Sequence, residues 1–199
     1  MATKNEIMRV AVDLFAKSGY NSTSIRDIAS KSNVNSSMVG YYFQSKENLY
    51  IEIFRNLKSA IDTLCDVATY ETAPDALKTY IMSCISFCNE HRNQILVLLA
   101  EQMYLSNATI TSILEEVMLA NYKCFRHLYL LKAEAGNSPD GILKWKYESF
   151  FSHLKNLMIS SSQQHHHPNL LYVQQSIKNV EVSMRLLFDI ESSIVWNQA

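Results

Sequence analysis

Glycine and proline are rare in this sequence. Its 199 residues include four glycines and three prolines, so most segments contain no residue that would interrupt a helix. Pro74, Pro139 and Pro168 stand where helices would begin, because proline suits the first turn of a helix. No stretch shows a sustained alternation of apolar and polar residues bounded by turn residues. The sequence therefore predicts an all-α fold.

Two short helices joined by a tight turn are predicted in residues 23–46. Ser24 and Asp27 have the spacing of a capping box, which begins a helix by satisfying its free amide groups. After a turn at residues 32–34, Asn35 is suited to cap the next helix. Two capped helices with so short a turn must cross steeply, as in a helix-turn-helix motif.

The second of these helices is predicted to expose small and hydroxyl-bearing side chains. No carboxylate occurs from Ile28 to Gln44, so this surface can approach phosphates and base edges without charge repulsion. Gly40 would allow a partner to come close to the backbone, and the alternative is that it simply marks the end of the helix. Lys46 lies in the first turn of a helix, where the helix dipole disfavours a cation, and a nearby phosphate would explain it. Compensation of Lys46 by Glu47 is the alternative.

Charge is distributed unevenly along the chain. Residues 1–55 contain seven lysines and arginines against five aspartates and glutamates, whereas residues 56–199 contain eleven against fourteen. A mildly basic head on an acidic body suits a protein that contacts phosphate at one end only. Because the basic excess of residues 1–55, here called the head, is small, we expect binding to need the heads of two subunits acting together.

Several spaced segments near the N-terminus occur in a specific combination. They are Gly19-Tyr20, Thr23 to Ala29, Val34-Asn35, Tyr41-Tyr42-Phe43 and Ser45 to Leu49. Together they resemble the DNA-binding signature of the TetR family of bacterial repressors over residues 4–54. The resemblance implies a three-helix, helix-turn-helix DNA-binding domain at residues 1–48 and a helical domain for effector binding and dimerisation at residues 49–199. Gly40 departs from the family pattern, in which many members carry an aromatic residue there.

The resemblance also implies a function and a set of DNA contacts. It implies a homodimeric repressor that a small-molecule effector releases from a near-palindromic operator of double-stranded DNA. Arg26 would bond guanine and Met38 would meet a thymine methyl group. The alternative for Arg26 is a solvated neighbour of Asp27. The residues predicted to contact DNA are Thr23, Ser24, Arg26, Asn35, Ser36, Ser37, Met38, Gly40, Tyr41, Tyr42 and Lys46.

The remainder of the chain is predicted to form a helical body. A long helix without glycine or proline would continue from Lys46 towards Pro74 and connect head to body. In the middle helices of the body, methionine and aromatic residues are candidates for lining an effector pocket, although such residues are more often plain core. The candidates are Phe87, Met103, Tyr104, Met118, Tyr122 and Phe125.

The last two predicted helices have wide apolar stripes. A helix that packs on its own body and on a second subunit shows such a stripe, so we predict an isologous homodimer through this pair. The alternative is that both helices are central in one subunit. The predicted interface residues are Phe150, Phe151, Leu154, Met184, Leu187 and Phe188.

Three possible metal ligands share one predicted helix face in the body. Cys84, Cys88 and His91 fall at positions i, i+4 and i+7, and could bind zinc or copper or respond to oxidation. Buried core cysteines are the alternative. A loop with three histidines, residues 165–167, is a second candidate for loose metal binding. We nevertheless predict no resident metal, and keep a metal- or redox-sensing regulator as an alternative function.

The remaining features bound the class of protein. The N-terminus has no signal-peptide pattern, the cysteines form no Cys-x-x-Cys pair, and the longest apolar run, Ile95 to Ala100, is far below the roughly 20 residues of a membrane span. We predict a cytoplasmic protein that does not engage membranes. Without the common enzyme motifs, we predict no catalytic activity and no cofactor. A helical protein-interaction module that does not bind DNA is the other alternative.

Overall fold

The computed structural model describes residues 3–73, 75–104, 107–132, 139–162 and 170–190, with the side chains of 102–104, 162 and 170–173 excepted. These ranges are helical and contain no strand, which confirms the predicted all-α class. None of the described helices combines the length and the apolar character that crossing a membrane requires. The helices are α1 (Lys4–Ser18), α2 (Ile25–Lys31), α3 (Ser36–Phe43), α4 (Lys46–Leu64), α5 (Ala68–Glu71), α6 (Ala76–Glu90), α7 (Arg92–Tyr104), α8 (Ala108–Lys132), α9 (Asp140–Ser162) and α10 (Leu170–Phe188).

The chain divides into two compact units. The first contains residues up to Ile61 together with Asn93–Val117, and the second contains Asp62–Arg92 with the residues from Met118 onward. The first unit thus holds the predicted helix-turn-helix and parts of α7 and α8. This grouping reflects packing and does not test the functional boundary predicted after residue 48, which stays a prediction.

Helix α1 begins and ends at residues suited to those positions. The Thr3 hydroxyl accepts a hydrogen bond from the Glu6 amide at 3.3 Å. Gly19 ends the helix with φ of +80°, a conformation that glycine adopts without steric cost. Tyr20, just beyond, packs back on Phe15 with ring centroids 5.6 Å apart. These contacts fix the direction in which the chain leaves α1 towards the helix-turn-helix.

The helix-turn-helix forms through the predicted caps. Ser24 and Asp27 make both bonds of a capping box at the start of α2. The turn after α2 places Asn33 at φ of +54°, a left-handed conformation that asparagine tolerates well. The Asn35 side chain then caps α3 by accepting from the Met38 amide at 2.9 Å. Local sequence therefore determines both helices and the turn between them.

The long connecting helix is shorter than the sequence predicted. Helix α4 ends at Leu64 rather than continuing towards Pro74. The Tyr70 hydroxyl donates a 2.8 Å hydrogen bond to the Leu64 carbonyl oxygen, which satisfies one of the acceptors left free at the helix end. The Asp66 carboxylate accepts from the Ala68 amide at 3.2 Å, so a side chain stabilises the turn that leads into α5. A helix can therefore end here without glycine or proline.

Helices α9 and α10 pack closely on each other, and this corrects the predicted interface residues. Phe150, Leu154, Met184 and Phe188 are buried inside one subunit, and the Phe150 and Phe188 rings lie 5.6 Å apart. These four side chains therefore have no surface to offer a partner, and their assignment to the interface is wrong. The wide apolar stripe arose because both helices are central in the second unit. Of the predicted set, Phe151 and Leu187 remain half-exposed.

Candidate DNA-binding interface

Helix α3 presents a polar, uncharged surface on one side and buries the other. Val39 and Phe43 are buried and anchor the helix, whereas Tyr41 is 79 % exposed. Ser36, Ser37 and Gly40 are also exposed, and Met38 and Tyr42 are half-exposed. A side chain at Gly40 would point into open space, so packing within the subunit does not require glycine there. This surface is free to approach a duplex groove.

Arg26 lies in the first turn of α2 and is exposed. The carboxylate of Asp27 is engaged elsewhere, because it accepts hydrogen bonds from the Ser24 amide at 2.8 Å and the Ser24 hydroxyl at 2.6 Å. These bonds to Ser24 lower the pKa of Asp27 below its ordinary value. Both bonds go to one carboxylate oxygen of Asp27, and none of the described contacts joins Arg26 to Asp27. The guanidinium is available to a base or a phosphate.

Two residues predicted to contact DNA have internal partners in this structure. The Thr23 side chain is buried, and its hydroxyl donates to the Gly19 carbonyl oxygen at 2.9 Å. The Lys46 ammonium donates to the carbonyl oxygens of Tyr20 and Thr23, each at 3.0 Å, and lies 4.1 Å from the centre of the Tyr20 ring. These acceptors explain a cation in the first turn of α4 without a phosphate. DNA contact by Thr23 and Lys46 stays a prediction.

Asn35 and Ser37 form a small network at the start of α3. The Asn35 side-chain oxygen accepts from the Met38 amide and also from the Ser37 hydroxyl, the latter at 2.6 Å. The Ser37 hydroxyl can still accept a bond, because it uses only its proton here. The predicted contacts of Asn35 and Ser37 with DNA stay predictions. The geometry shows that Asn35 has a structural role as the cap.

The described candidates for an effector pocket in the body have separate environments. Phe125 is fully buried in an aromatic core with Tyr147 and Phe188, which was the alternative reading. Met118 is largely exposed, and the Tyr122 hydroxyl donates to the Asp140 carboxylate at 3.0 Å. The Phe87 ring lies against the His91 ring, 4.3 Å away between ring centres. The side chains of Met103 and Tyr104 lie outside the described residues.

The proposed metal or redox set of Cys84, Cys88 and His91 is not assembled. His91 stands just past the end of α6 with a non-helical backbone, and its ring packs against Phe87. Burial raises the pKa of Cys84, and raises that of Cys88 to about 12, so both thiols stay protonated. Within the described part of the chain, no three His, Cys, Asp or Glu side chains are placed to hold a metal. The three histidines at residues 165–167 lie outside the described residues.

A cavity of about 600 Å³ in the first unit was not predicted from the sequence. It lies between the turn that joins α1 to α2, the start of α4, the C-terminal part of α7 and the start of α8. The side chains that determine its character are Tyr20, Glu47, Tyr50, Glu101, Asn107 and Ile110. One signal was present in the sequence: Glu101 follows the apolar run of α7 directly and is buried in the structure.

An exposed, carboxylate-free recognition helix in a capped helix-turn-helix, joined to a helical body, defines a DNA-binding transcriptional regulator of the helix-turn-helix class. Residues 7–53 match the family model described as bacterial regulatory proteins, tetR family. Over these residues the chain is similar to the TetR family. The proteins it matches are transcriptional regulators, which confirms the prediction that the chain is not an enzyme.

Curated relatives and solved structures extend the match beyond the head. The chain is 25 % identical to the probable HTH-type transcriptional regulator YttP of Bacillus subtilis (strain 168), covering 87 % of this chain and 84 % of the relative. It is 26 % identical to the HTH-type transcriptional regulator QacR of Staphylococcus aureus (strain Mu50), covering 82 % of this chain and 96 % of the relative. The crystal structure of a TetR-family transcriptional regulator from Bordetella parapertussis shares the fold with a TM-score of 0.71 at 16 % identity. The match covers 95 % of this chain and 97 % of that one.

Proposed function

We propose that this regulator is a homodimeric repressor that binds a near-palindromic operator and is released from it by a small-molecule effector. In a helix-turn-helix dimer, the two recognition helices enter successive major grooves about 34–36 Å apart, so the operator mirrors the two-fold symmetry of the protein. A protein that acts on chromosomal DNA in a bacterium works in the cytoplasm, which is where we place it.

The exposed surface of α3 is the observation that carries this proposal. It offers hydroxyl groups, a glycine and a half-exposed methionine, with no carboxylate to repel phosphate. Arg26, on the preceding helix, supplies a guanidinium with no partner in Asp27. A guanidinium that reads guanine bidentately contributes about 1–3 kcal/mol of discrimination between base pairs. We therefore assign sequence readout to Arg26 and α3 together.

Exposed apolar side chains on the last two helices support a dimer. Leu186 on α10 is 71 % exposed, and Ile142, Trp145 and Ile159 on α9 are also exposed. Large apolar side chains grouped on neighbouring helices are typical of surfaces that a partner covers. We propose that these residues, with Phe151 and Leu187, replace the buried ones in the predicted interface.

Selection of genomic fragments on the immobilised protein, followed by sequencing, tests the proposal. We expect an enriched inverted repeat with half-sites one helical turn apart. Arg26→Ala should reduce the ratio of operator to random-DNA affinity by about tenfold or more, since a lost bidentate contact to a base removes discrimination. Arg9→Ala is the matched control, because Arg9 is exposed on α1 and pairs with Asp13 at 3.3 Å. Retention of fragments without any shared repeat would contradict the proposal.

A further inference from the structure

We propose that the cavity between the helix-turn-helix and helices α7 and α8 binds a small organic cation that carries a flat aromatic group. The proposal rests on the proposed function in one respect: this cation would be the effector. The residues proposed to form the site are Tyr20, Glu47, Tyr50, Glu101, Asn107 and Ile110. All of them belong to the first compact unit.

The charge of the cavity selects for a cation. Its described lining contains two carboxylates, Glu47 and Glu101, and no lysine, arginine or histidine. Glu101 is only 5 % exposed, and its carboxylate accepts a 3.2 Å hydrogen bond from the Tyr50 hydroxyl. The Lys46 ammonium bonds the carbonyl oxygens of Tyr20 and Thr23 and lies 4.1 Å from the centre of the Tyr20 ring, so one positive charge stands beside the two carboxylates. Two carboxylates in a partly enclosed space create a negative potential that concentrates cations.

The phenol groups of the lining respond to this potential. Burial raises the pKa of Tyr20, and the carboxylates of Glu47 and Glu101 raise it further. Burial likewise raises the pKa of Tyr50, with the charge of Glu101 and the hydrogen bond to it as the next causes. Because the charges of both carboxylates raise the pKa of Tyr20, Glu47 and Glu101 both lie near its phenol group, at the same cavity. A second negative charge is disfavoured there and a positive charge is favoured.

The shape and the aromatic lining define the rest of the ligand. The rings of Tyr20 and Tyr50 lie 4.4 Å apart at an angle of 39°, and Ala100 and Ile110 add apolar surface. The Lys46 ammonium already lies 4.1 Å from the centre of the Tyr20 ring, and the Tyr50 ring is 6 % exposed. The two rings therefore contribute flat apolar surface to the wall, and the carboxylates supply the attraction for the cation. A volume of about 600 Å³ falls within the range of roughly 300–1,000 Å³ that is usual for small-molecule sites. An amine or quaternary ammonium group on an aromatic ring system fits this combination.

Occupation of the cavity would affect the DNA-binding helices directly. One wall is the turn between α1 and α2, which leads into the capping box at Ser24. Another is formed by Glu47, which accepts a 2.7 Å hydrogen bond from Asn107 at the start of α8. A cation that takes the Glu47 carboxylate competes with Asn107 for it, and so favours one arrangement of these elements over another. A ligand shifts such an equilibrium only by its differential affinity for the two states.

Isothermal titration calorimetry on the full-length protein tests the site. The probe is (naphthalen-1-ylmethyl)trimethylammonium, with 1-naphthalenemethanol as the neutral analogue and 1-naphthoate as the anionic one. We expect the ammonium compound to bind one site per subunit at least about tenfold more tightly than either analogue, since only the cation gains from both carboxylates. Equal binding of the neutral alcohol, or no binding of the cation, would overturn the proposal.

Variants of the lining locate the binding. Glu101→Gln and Glu47→Gln keep the shape of each side chain and remove its charge, and each should weaken binding of the cation by about tenfold or more. Glu115→Gln is the matched control, because Glu115 is an exposed carboxylate of α8 outside the cavity. Ala100→Phe should fill the space and abolish binding without any change of charge, which keeps the test valid if a glutamine variant does not fold. Full affinity in Ala100→Phe would place the probe elsewhere and refute the site.

Operator binding separates this proposal from the proposed function. In the presence of the cation, we expect the wild-type protein to lose affinity for the selected operator and the Ala100→Phe variant to keep it. If the cation binds at the cavity and operator affinity is unchanged, the site is supported and its role as effector site is overturned. If no operator exists, calorimetry still decides the site, because the titration contains no DNA.

Discussion

The ammonium nitrogen of Lys46 lies 3.0 Å from the carbonyl oxygen of Thr23. The first residue of α4 is thereby held to the end of the turn that leads into α2, and the Tyr20 carbonyl oxygen provides a second acceptor at the same distance. A cation in the first turn of a helix is disfavoured by the helix dipole. The two acceptors offset that cost, so Lys46 connects the helix-turn-helix to the start of the connecting helix.

Replacement of Lys46 should lower the stability of the head. Hydrogen bonds made by a charged group contribute about 1.5–3 kcal/mol each when buried, and less here because Lys46 is half-exposed. For Lys46→Met we expect a loss of about 1–2 kcal/mol in the free energy of unfolding, measured with urea. Lys17→Met, at an exposed position near the end of α1, should change stability by less than about 0.5 kcal/mol.

The salt dependence of operator binding distinguishes the two roles considered for Lys46. If Lys46 serves the fold alone, Lys46→Met leaves the slope of log affinity against log salt unchanged. If it also contacts a phosphate, the slope falls by about one for each contact removed. We expect an unchanged slope, because both bonds found for the ammonium are internal. A reduced slope would restore the phosphate contact that the sequence predicted.

The capping box of α2 should make stability depend on pH. Hydrogen bonds from Ser24 lower the pKa of Asp27 in the folded state below the ordinary value of 3.8. The unfolded state therefore binds a proton first as pH falls, and the contribution of Asp27 is complete above pH 3.8 and is lost below it. Urea unfolding between pH 6 and pH 3 should show a smaller acid-induced loss of stability for Ser24→Ala than for wild type.

Ser30→Ala is the control for this experiment, because Ser30 lies on the same helix, exposed and outside the cap. Its pH profile should follow that of the wild type. Parallel profiles for wild type and Ser24→Ala would mean that Asp27 gains nothing from the cap in solution. The comparison uses differences between variants, so other titrating groups cancel to the extent that they are independent of the cap.

Cys65 should be the most reactive of the four cysteines. A hydrogen bond with Cys124 is the main cause of its lowered pKa, and the Tyr80 and Asn121 side chains contribute to it in the same direction. The same contact with Cys65 raises the pKa of Cys124, and burial raises that of Cys88 to about 12. Because the thiolate is the nucleophile, iodoacetamide near neutral pH should label Cys65 at least about tenfold faster than Cys88. Peptide mass spectrometry over time measures both rates.

Cys65→Ala provides the matched comparison for the labelling. In this variant, labelling should not move to Cys88, whose sulfur remains protonated for a separate reason. Because the contact that raises the Cys124 pKa is lost, Cys124 should label faster than in the wild type. Faster labelling of Cys88 than of Cys65 in the wild type would contradict the order derived from their surroundings.

Local features of the sequence were sufficient to predict the helix-turn-helix. The capping box at Ser24 and the cap at Asn35 depend on residues within about one helical turn of each other, so spacing alone reveals them. The hydrogen-bond acceptors of the Lys46 ammonium could not be predicted, because they lie 23 and 26 residues earlier in the chain. The cavity joins positions near residue 20 to positions near residue 100, which no local pattern reveals.

The interface residues show a different limit of sequence patterns. An apolar stripe reports that a side chain is buried, and it does not report which surface covers it. Phe150 and Phe188 fitted an interface between subunits as well as they fitted a core, and the structure places them in contact within one chain. The sequence pattern does not distinguish Leu186 from Leu187 and Phe188, but in the structure Leu186 is the exposed member of the three. Exposure, and therefore the candidate interface, is a property of the folded chain.

A charge at Leu186 should separate the subunits of the proposed dimer. Leu186 is 71 % exposed in a single subunit, so a glutamate there can remain solvated in the monomer and would be desolvated in an interface. We expect a dimer for the wild type and a monomer for Leu186→Glu by size-exclusion chromatography with light scattering at micromolar concentration. Leu119→Glu is the matched control, because Leu119 is about half exposed on α8 and is not among the residues proposed for the interface. A dimeric Leu186→Glu variant, or a monomeric wild type, would contradict the place of α10 in the interface. If two DNA-binding domains must act together, the monomeric variant should also bind the operator more weakly.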